Sequence, residues 1–555
     1  MKSYLQRNHR LLFYSSWLIL TLIQSRFTQL LDDEAYYWVY SKFLDWGYFD
    51  HPPMVAVLIK IGYTIFHNEL GVRLAFALMN LGSLLIIEKL IDKRDEFLFY
   101  TIALSLAVLQ LSGFVAVPDT PLIFFTALFF LAYKKFLENA NWLNILLLGF
   151  VAAAMMYSKY HSVLILFFVL LSNPKLFLRY QTYMAGIIAL LLFCPHLWWQ
   201  YQHNWISFRY QLFESNVNRY QVGFTLDYIL GQILLAGPIA GIILLPAVIL
   251  YRAKNPFEKA LKFVLVGIYL FFLVSSFRGK VEGNWTSPVI IPLVVLGHHF
   301  LLGKIVWRKW LVRVFPVTLM LVMFARIVMI ADVLPVKDFR KKYHGWRDWP
   351  GEMKKITNGL PVVFINSYQR ASKYWFYTGQ KTFSPNLYRE HKNNFDFWPI
   401  EDSFLGKKVF VLDVFNRDSF PTQIPTAIDT VAYKYENDWG SFAKVQFKPE
   451  KPFYHVMQNE NLELKITPVL SAQYYNYIMS HPGMDIRIVA GLFDKYGWIK
   501  DEKINFTLYE LIKGTHTLEF NPQLPKGKYF MIISILHVGT ISPTHNSERI
   551  PIEIQ

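Results

Sequence analysis

Eleven stretches of this chain are apolar and about as long as a bilayer-crossing helix, and no other feature restricts the fold as much. They run over 11–30, 70–90, 97–116, 120–137, 142–157, 160–172, 181–200, 226–250, 259–276, 286–302 and 310–331. A helix needs about 20 predominantly apolar residues to cross the hydrocarbon core. Over half of the 555 residues are hydrophobic and only 17% are charged, unusual for a water-soluble protein of this size. The mean hydropathy is only mildly positive, as expected when a membrane part is averaged with a soluble one.

Charge placement sets the expected topology. With the N-terminus in the cytoplasm, the loops on that side carry Lys2, Arg7 and Arg10, then Lys89, Lys93 and Arg94, then Lys134 and Lys135. They continue with Lys175 and Arg179, then Arg252, Lys254 and Lys259, and end with Lys304, Arg308 and Lys309. Each loop is short and basic, as the positive-inside rule requires. The alternation holds only if 142–172 crosses twice, which predicts eleven spans with the C-terminus outside. The net charge of +16 then reflects anionic lipid headgroups, and no basic groove motif points to nucleic acid. The basic start, Met1 to Arg10, leads into an apolar run with no small-residue cleavage site, so the first helix reads as an uncleaved anchor in the cytoplasmic (inner) membrane. Cys194 is the single cysteine, which excludes an intrachain disulfide and reads as a small buried hydrophobe.

The opposite loops hold carboxylates, histidines and scattered cations. They contain Asp32, Asp33, Glu34, Asp45, Asp50 and His51, then Asp119, Lys159 and His161. His203, Arg209, Glu214 and Arg219 follow, then Arg278, Lys280 and Glu282. Any one of these suits a solvated loop; as a set on one face they point to a shared site. Beyond about 336 the apolar runs end. Strand-like segments at 361–366 and 407–413 around a helical 371–377 predict a small α/β domain over 336–450. Short alternating runs at 462–466, 484–490, 504–511, 517–520, 529–537 and 550–554 predict an Ig-like β-sandwich over 451–555.

The first external loop is the most informative. Leu31-Asp32-Asp33-Glu34-Ala35-Tyr36-Tyr37-Trp38 follows the first helix and precedes Gly47-Tyr48-Phe49-Asp50-His51-Pro52-Pro53-Met54. Adjacent carboxylates at a membrane boundary repel one another and persist most readily where they bind a cation or take a proton. Pro52-Pro53 stiffens the chain beside Asp50 and His51. The plainer alternative is an acidic loop with a proline turn.

These segments resemble the PMT/ArnT-like branch of the GT-C glycosyltransferases, together with Val117-Pro118-Asp119-Thr120-Pro121-Leu122, Ser158-Lys159-Tyr160, His203-Asn204-Trp205-Ile206-Ser207-Phe208 and Lys280-Val281-Glu282-Gly283-Asn284-Trp285. The resemblance covers about residues 1–330 and implies a GT-C transmembrane domain over 1–335. It also implies transfer of a sugar from a polyprenyl-phosphate donor to an acceptor outside the cytoplasmic membrane: lipid, glycan or protein. On it, Asp33, with Glu34 beside it, is the base that takes a proton from the acceptor in an inverting displacement.

Asp50 matches an acidic position that helps hold a divalent metal ion, and His51 stands where the aminoarabinose branch has a phosphate-binding lysine. Glu214 to Arg219 resembles a Glu-His-x-x-Arg segment, with Asn216 in place of a metal-binding histidine. The alternative to a metal places the leaving phosphate on His51, Arg219 and Lys280. Asp119, Lys159, His203, Arg209, Glu282, Asn284 and Trp285 complete the candidate donor site. Asp119 suits a helix cap equally well, and His161 reads as structural. The rival functions are a transporter or flippase of lipid-linked sugars, and a sandwich-bearing receptor or scaffold.

Overall fold

The computed structural model describes residues 2–215, 217–416, 419–538 and 544–555. The chain forms two compact units, Met1–His344 and Gly345–Gln555.

All eleven apolar stretches are helical in the first unit. Five described helices are long and apolar enough to cross a membrane: Glu69–Leu90, Asp119–Glu138, Tyr180–Gln202, Gly283–Leu302 and Ile305–Ile330. Lys2–Phe27 and Pro256–Ser275 match the first and ninth stretches. The starts are written locally. Asn68 and Asn141 accept main-chain N–H groups of the following turn, and Asn255 does the same with Pro256 at the first helical position. Where helices meet, small residues let backbones approach: a Cβ on Gly149 would lie 2.7 Å from the Ala185 carbonyl oxygen.

Two expected spans are interrupted. The stretch 97–116 becomes Glu96–Ser105 and a π-helical segment Val108–Ser112. The stretch 226–250 becomes Val222–Leu235 and Gly241–Leu250. Gly237-Pro238 causes the second break, because Pro238 has no N–H to donate and Gly237 adopts φ +127°. A further apolar helix, Met54–Ile65, follows Pro52-Pro53 and was not among the eleven. Cys194 corrects the buried reading: it is exposed on the helix Tyr180–Gln202, on a face turned away from the bundle.

The second unit begins with a five-stranded mixed sheet ordered Thr382–Phe383, Val362–Ile365, Val409–Asp413, Thr430–Glu436, Thr422–Pro425. The first three strands are parallel, and helix Tyr368–Thr378 joins two of them. A five-stranded sheet then packs on a three-stranded one over a shared core. Strand Leu462–Val469 shows the sandwich pattern, with Leu462, Leu464 and Ile466 buried and Glu463 and Lys465 exposed. The short strand Tyr454–Val456 runs parallel to Ile550–Ile554. The helical unit runs on through His344, and both C-terminal parts lie in one compact unit. We propose that they are nonetheless two domains, since each closes its own sheet.

Candidate active site

The first helix ends at Phe27, and a nine-residue helix, Asp32–Tyr40, starts after a short extended link. Its three acidic residues occupy the first turn, where the helix dipole favours negative charge. Of these, Glu34 turns inward. Its carboxylate accepts Nε of Arg73 at 2.6 Å, and a second guanidinium nitrogen completes the fork. It also accepts the N–H groups of Ala116 (2.8 Å) and Leu31 (2.9 Å). Arg73 in turn donates to the carbonyls of Ser25, Thr28 and Gln29. Both side chains are fully buried. Glu34 is therefore corrected from a catalytic to a positioning residue: it ties the first helix, the acidic turn and the segment before Asp119 together. Asp33, next to it, is exposed.

The segment 47–53 is fixed from several sides. Ser207 donates to the Tyr48 carbonyl at 2.7 Å, and Gln211 donates to that of Asp50 at 3.0 Å. Gln200 donates to Ser207 and to the Tyr160 hydroxyl, joining this loop to the 158–161 turn. The Asp50 carboxylate accepts the Tyr40 hydroxyl and lies 3.9 Å from His51 Nε2. Burial lowers the His51 pKa, against the opposing pull of Asp50, so the imidazole is held neutral near pH 7. Among the described residues its buried Nδ1 has no hydrogen-bond partner.

The helix Trp142–Ser158 ends at Lys159, whose ammonium donates to Asp119 Oδ1 at 2.8 Å. Asp119 also accepts Asn284 (2.9 Å) and Ser287 (2.9 Å). The side chains of Lys159 and Asp119 are 7% and 8% exposed, so this is a desolvated pair, with His51 and His161 within its electrostatic reach. Pro118, not Asp119, holds the cap position of the helix Asp119–Glu138, which removes the helix-cap alternative. Trp285 packs on His161, ring centres 5.6 Å apart.

Six expected residues are thus gathered here: Asp50, His51, Asp119, Lys159, Asn284 and Trp285. Others are not. His203 stacks on Trp199 at 4.0 Å and bonds its carbonyl oxygen. Lys280 and Glu282 pair with each other at 3.0 Å, both more than half exposed. Arg209 is half-buried and Arg219 exposed. Asn216 lies outside the described residues. Sequence reasoning missed Arg73, Ser287 and Tyr40; an arginine at the start of an apolar run was the available signal.

A divalent cation does not fit the donor set. Among the described residues no three His, Cys, Asp or Glu side chains converge. Asp50 is engaged by Tyr40, and the positive neighbour of His51 is the Lys159 ammonium, which repels a cation.

The architecture is similar to that of the GT-C class of polytopic membrane glycosyltransferases. Within that class the likeness falls on the PMT/ArnT-like branch: residues 50–199 match the family model of dolichyl-phosphate-mannose-protein mannosyltransferases. The lipid A galacturonosyltransferase RgtD of Rhizobium johnstonii is 24% identical over 301 residues, 51% of this chain. The match spans 63% of that relative, less than two thirds of its length. The crystal structure of ArnT from Cupriavidus metallidurans in the apo state has a TM-score of 0.57 at 14% identity, over 77% of this chain and 98% of that one. The same protein bound to undecaprenyl phosphate gives 0.53 at 13% identity with the same coverage.

Proposed function

We propose that this chain transfers a sugar, hexose or pentose, from a polyprenyl-phosphate donor to a lipid acceptor. The reaction takes place at the extracytoplasmic face of the inner membrane, with the N-terminus in the cytoplasm. The observation that carries the reading is the desolvated Asp119–Lys159 pair beside His51, at the ends of apolar helices. A fixed ammonium there meets the phosphate of a lipid whose tail lies among those helices, and it stabilises charge more strongly than one in water. Asn284 and Ser287 hold Asp119, and Asp119 holds Lys159. The neutral His51 donates a hydrogen bond to a phosphate oxygen.

In the step itself the acceptor hydroxyl oxygen bonds to the anomeric carbon and the carbon–oxygen bond to phosphate breaks. The hydroxyl proton passes to the Asp33 carboxylate, and polyprenyl phosphate leaves as the anion. Trp285 offers a stacking face for the sugar. The undecaprenyl phosphate bound to the Cupriavidus protein and the lipid A in the name of the Rhizobium relative support lipid chemistry on both sides. The test is incubation of purified protein in detergent with polyprenyl-phosphate sugar and a lipid acceptor. Consumption of donor with release of polyprenyl phosphate supports transfer. Intact donor in detergent, with movement only between two compartments, would identify a flippase instead.

A further inference from the structure

Lys42 and Lys60 take no part in the chemistry above, yet their setting is specific. Lys42 follows the helix Asp32–Tyr40, and its ammonium lies over the Trp38 ring at 4.5 Å and the Tyr63 ring at 4.8 Å. Trp38 and Tyr63 meet edge to face at 5.6 Å, so two aromatics form one wall. Lys60 stands on the helix Met54–Ile65 three residues before Tyr63, on the same side. Partial burial, and after it the repulsion of Lys60, lowers the Lys42 pKa. Both side chains are exposed, and among the described residues neither ammonium has an ion-pair partner. Two like charges held together without a carboxylate favour an anion between them.

What surrounds the pair is apolar. Val57, Ile61 and Ile65, on the helix that carries Lys60, are exposed, as are Leu44 and Trp46 just beyond Lys42. A cavity of about 500 Å³ opens beside them, lined by Leu44, Trp46, Met54, Val57 and Tyr157, with Asp45 and Pro53. Asp45 is engaged, accepting Trp199 Nε1 at 2.8 Å. Val57, which lines this cavity, lies about one helical turn before Lys60, and Leu44 follows Lys42 by two residues, so a cationic pair near an apolar cavity matches a lipid that carries a phosphate.

We infer that Lys42 and Lys60 bind the headgroup phosphate of a second phosphorylated lipid, distinct from the sugar donor, whose acyl chain enters the cavity lined by Leu44, Met54 and Val57. The phosphate can belong to an anionic glycerophospholipid or to a phosphorylated glycolipid acceptor; only the latter source rests on the transfer reading. The experiment uses full-length protein in phosphatidylcholine nanodiscs doped with phosphatidylglycerol, or with a phosphorylated glucosamine lipid. Bound lipid is counted by native mass spectrometry.

Lys42→Gln or Lys60→Gln is expected to weaken retention about fivefold and the double variant about thirtyfold, with Lys42→Arg near wild type. Loss of phosphatidylglycerol and glycolipid alike assigns a general phospholipid site; loss of the glycolipid alone, undone when its phosphate is removed, assigns the acceptor. Equal retention by wild type and the double variant, with unchanged unfolding midpoints, overturns the proposal. So does a double variant that loses affinity for polyprenyl phosphate instead. Because retention is read without turnover, a failure of the transfer reading leaves this result interpretable.

Discussion

At the residue scale, Asp33 and Glu34 are neighbours in different settings. Asp33 is exposed at the start of its helix, whereas Glu34 is enclosed by Arg73 and two main-chain N–H groups. Asp33→Asn is expected to lower the transfer rate by about two to four orders of magnitude while donor affinity persists. Glu34→Gln strips the charge from a buried pair and leaves Arg73 uncompensated, at a cost of about 3–5 kcal/mol. It should lower the unfolding midpoint in detergent and abolish donor binding and transfer together. If both variants kept their midpoint and lost only transfer, the division between base and brace would be wrong. Lys159→Met probes the leaving group: it should weaken polyprenyl-phosphate binding, and a chelator should leave wild-type turnover unchanged. A chelator that stopped wild-type turnover would restore the metal that the donor set around Asp50 does not suit.

At the element scale, the sequence shows which stretches are helical more clearly than where they bend. Hydropathy registers apolar length, so 226–250 reads as one span even though Gly237-Pro238 lies inside it. The break depends on what Gly237 packs against: a Cβ there would lie 2.6 Å from the Ser105 carbonyl oxygen, in addition to the strain of φ +127°. Gly237→Ala is expected to cost about 1–3 kcal/mol, seen as a lower midpoint in detergent; an unchanged midpoint would show that the turn relaxes freely. Met54–Ile65 escaped notice because its 12 residues are short for a span. Site legibility follows the same rule. Asp50, His51, Asp119, Lys159 and Asn284 lie in loops or at helix ends, where polar residues stand out against apolar runs. Arg73 and Ser287 sit inside helical segments, and only tertiary packing assigns them partners. His203 and the Lys280–Glu282 pair share the loops but not the cluster, because a loop's sidedness does not fix where its side chains point.

At the scale of the whole molecule, the two compact units differ in what dissolves them, lipid for the helices and water for the sheets, so their responses to pH separate. In the second unit Glu401 is buried, accepting the Ser441 hydroxyl and the Ala443 N–H at 3.1 Å, and burial pushes its pKa up to about 7. The folded form thus holds the proton more tightly than the unfolded chain, whose carboxyl titrates near 4.5. Its contribution is full below pH 4.5 and is lost as pH rises to about 7, a loss of about 3 kcal/mol by linkage. His545 opposes it. Burial lowers that imidazole to about 3, so its contribution is present above 6.5 and lost as pH falls towards 3. Between pH 4.5 and 6.5 the two slopes cancel in part, so the raw stability profile hides both. Asp396, also raised by burial, adds to the Glu401 slope but is common to wild type and variant. The measurement is therefore a difference. Glu401→Gln keeps the accepting oxygen and removes the charge. Calorimetry of full-length protein should show the variant's gain in the sheet unit's midpoint growing as pH rises from 4.5 to 7, then levelling off, while the helical unit's transition stays unmoved. A gain independent of pH would mean that Glu401 ionises in the folded unit as it does in the unfolded chain, and that burial does not raise its pKa.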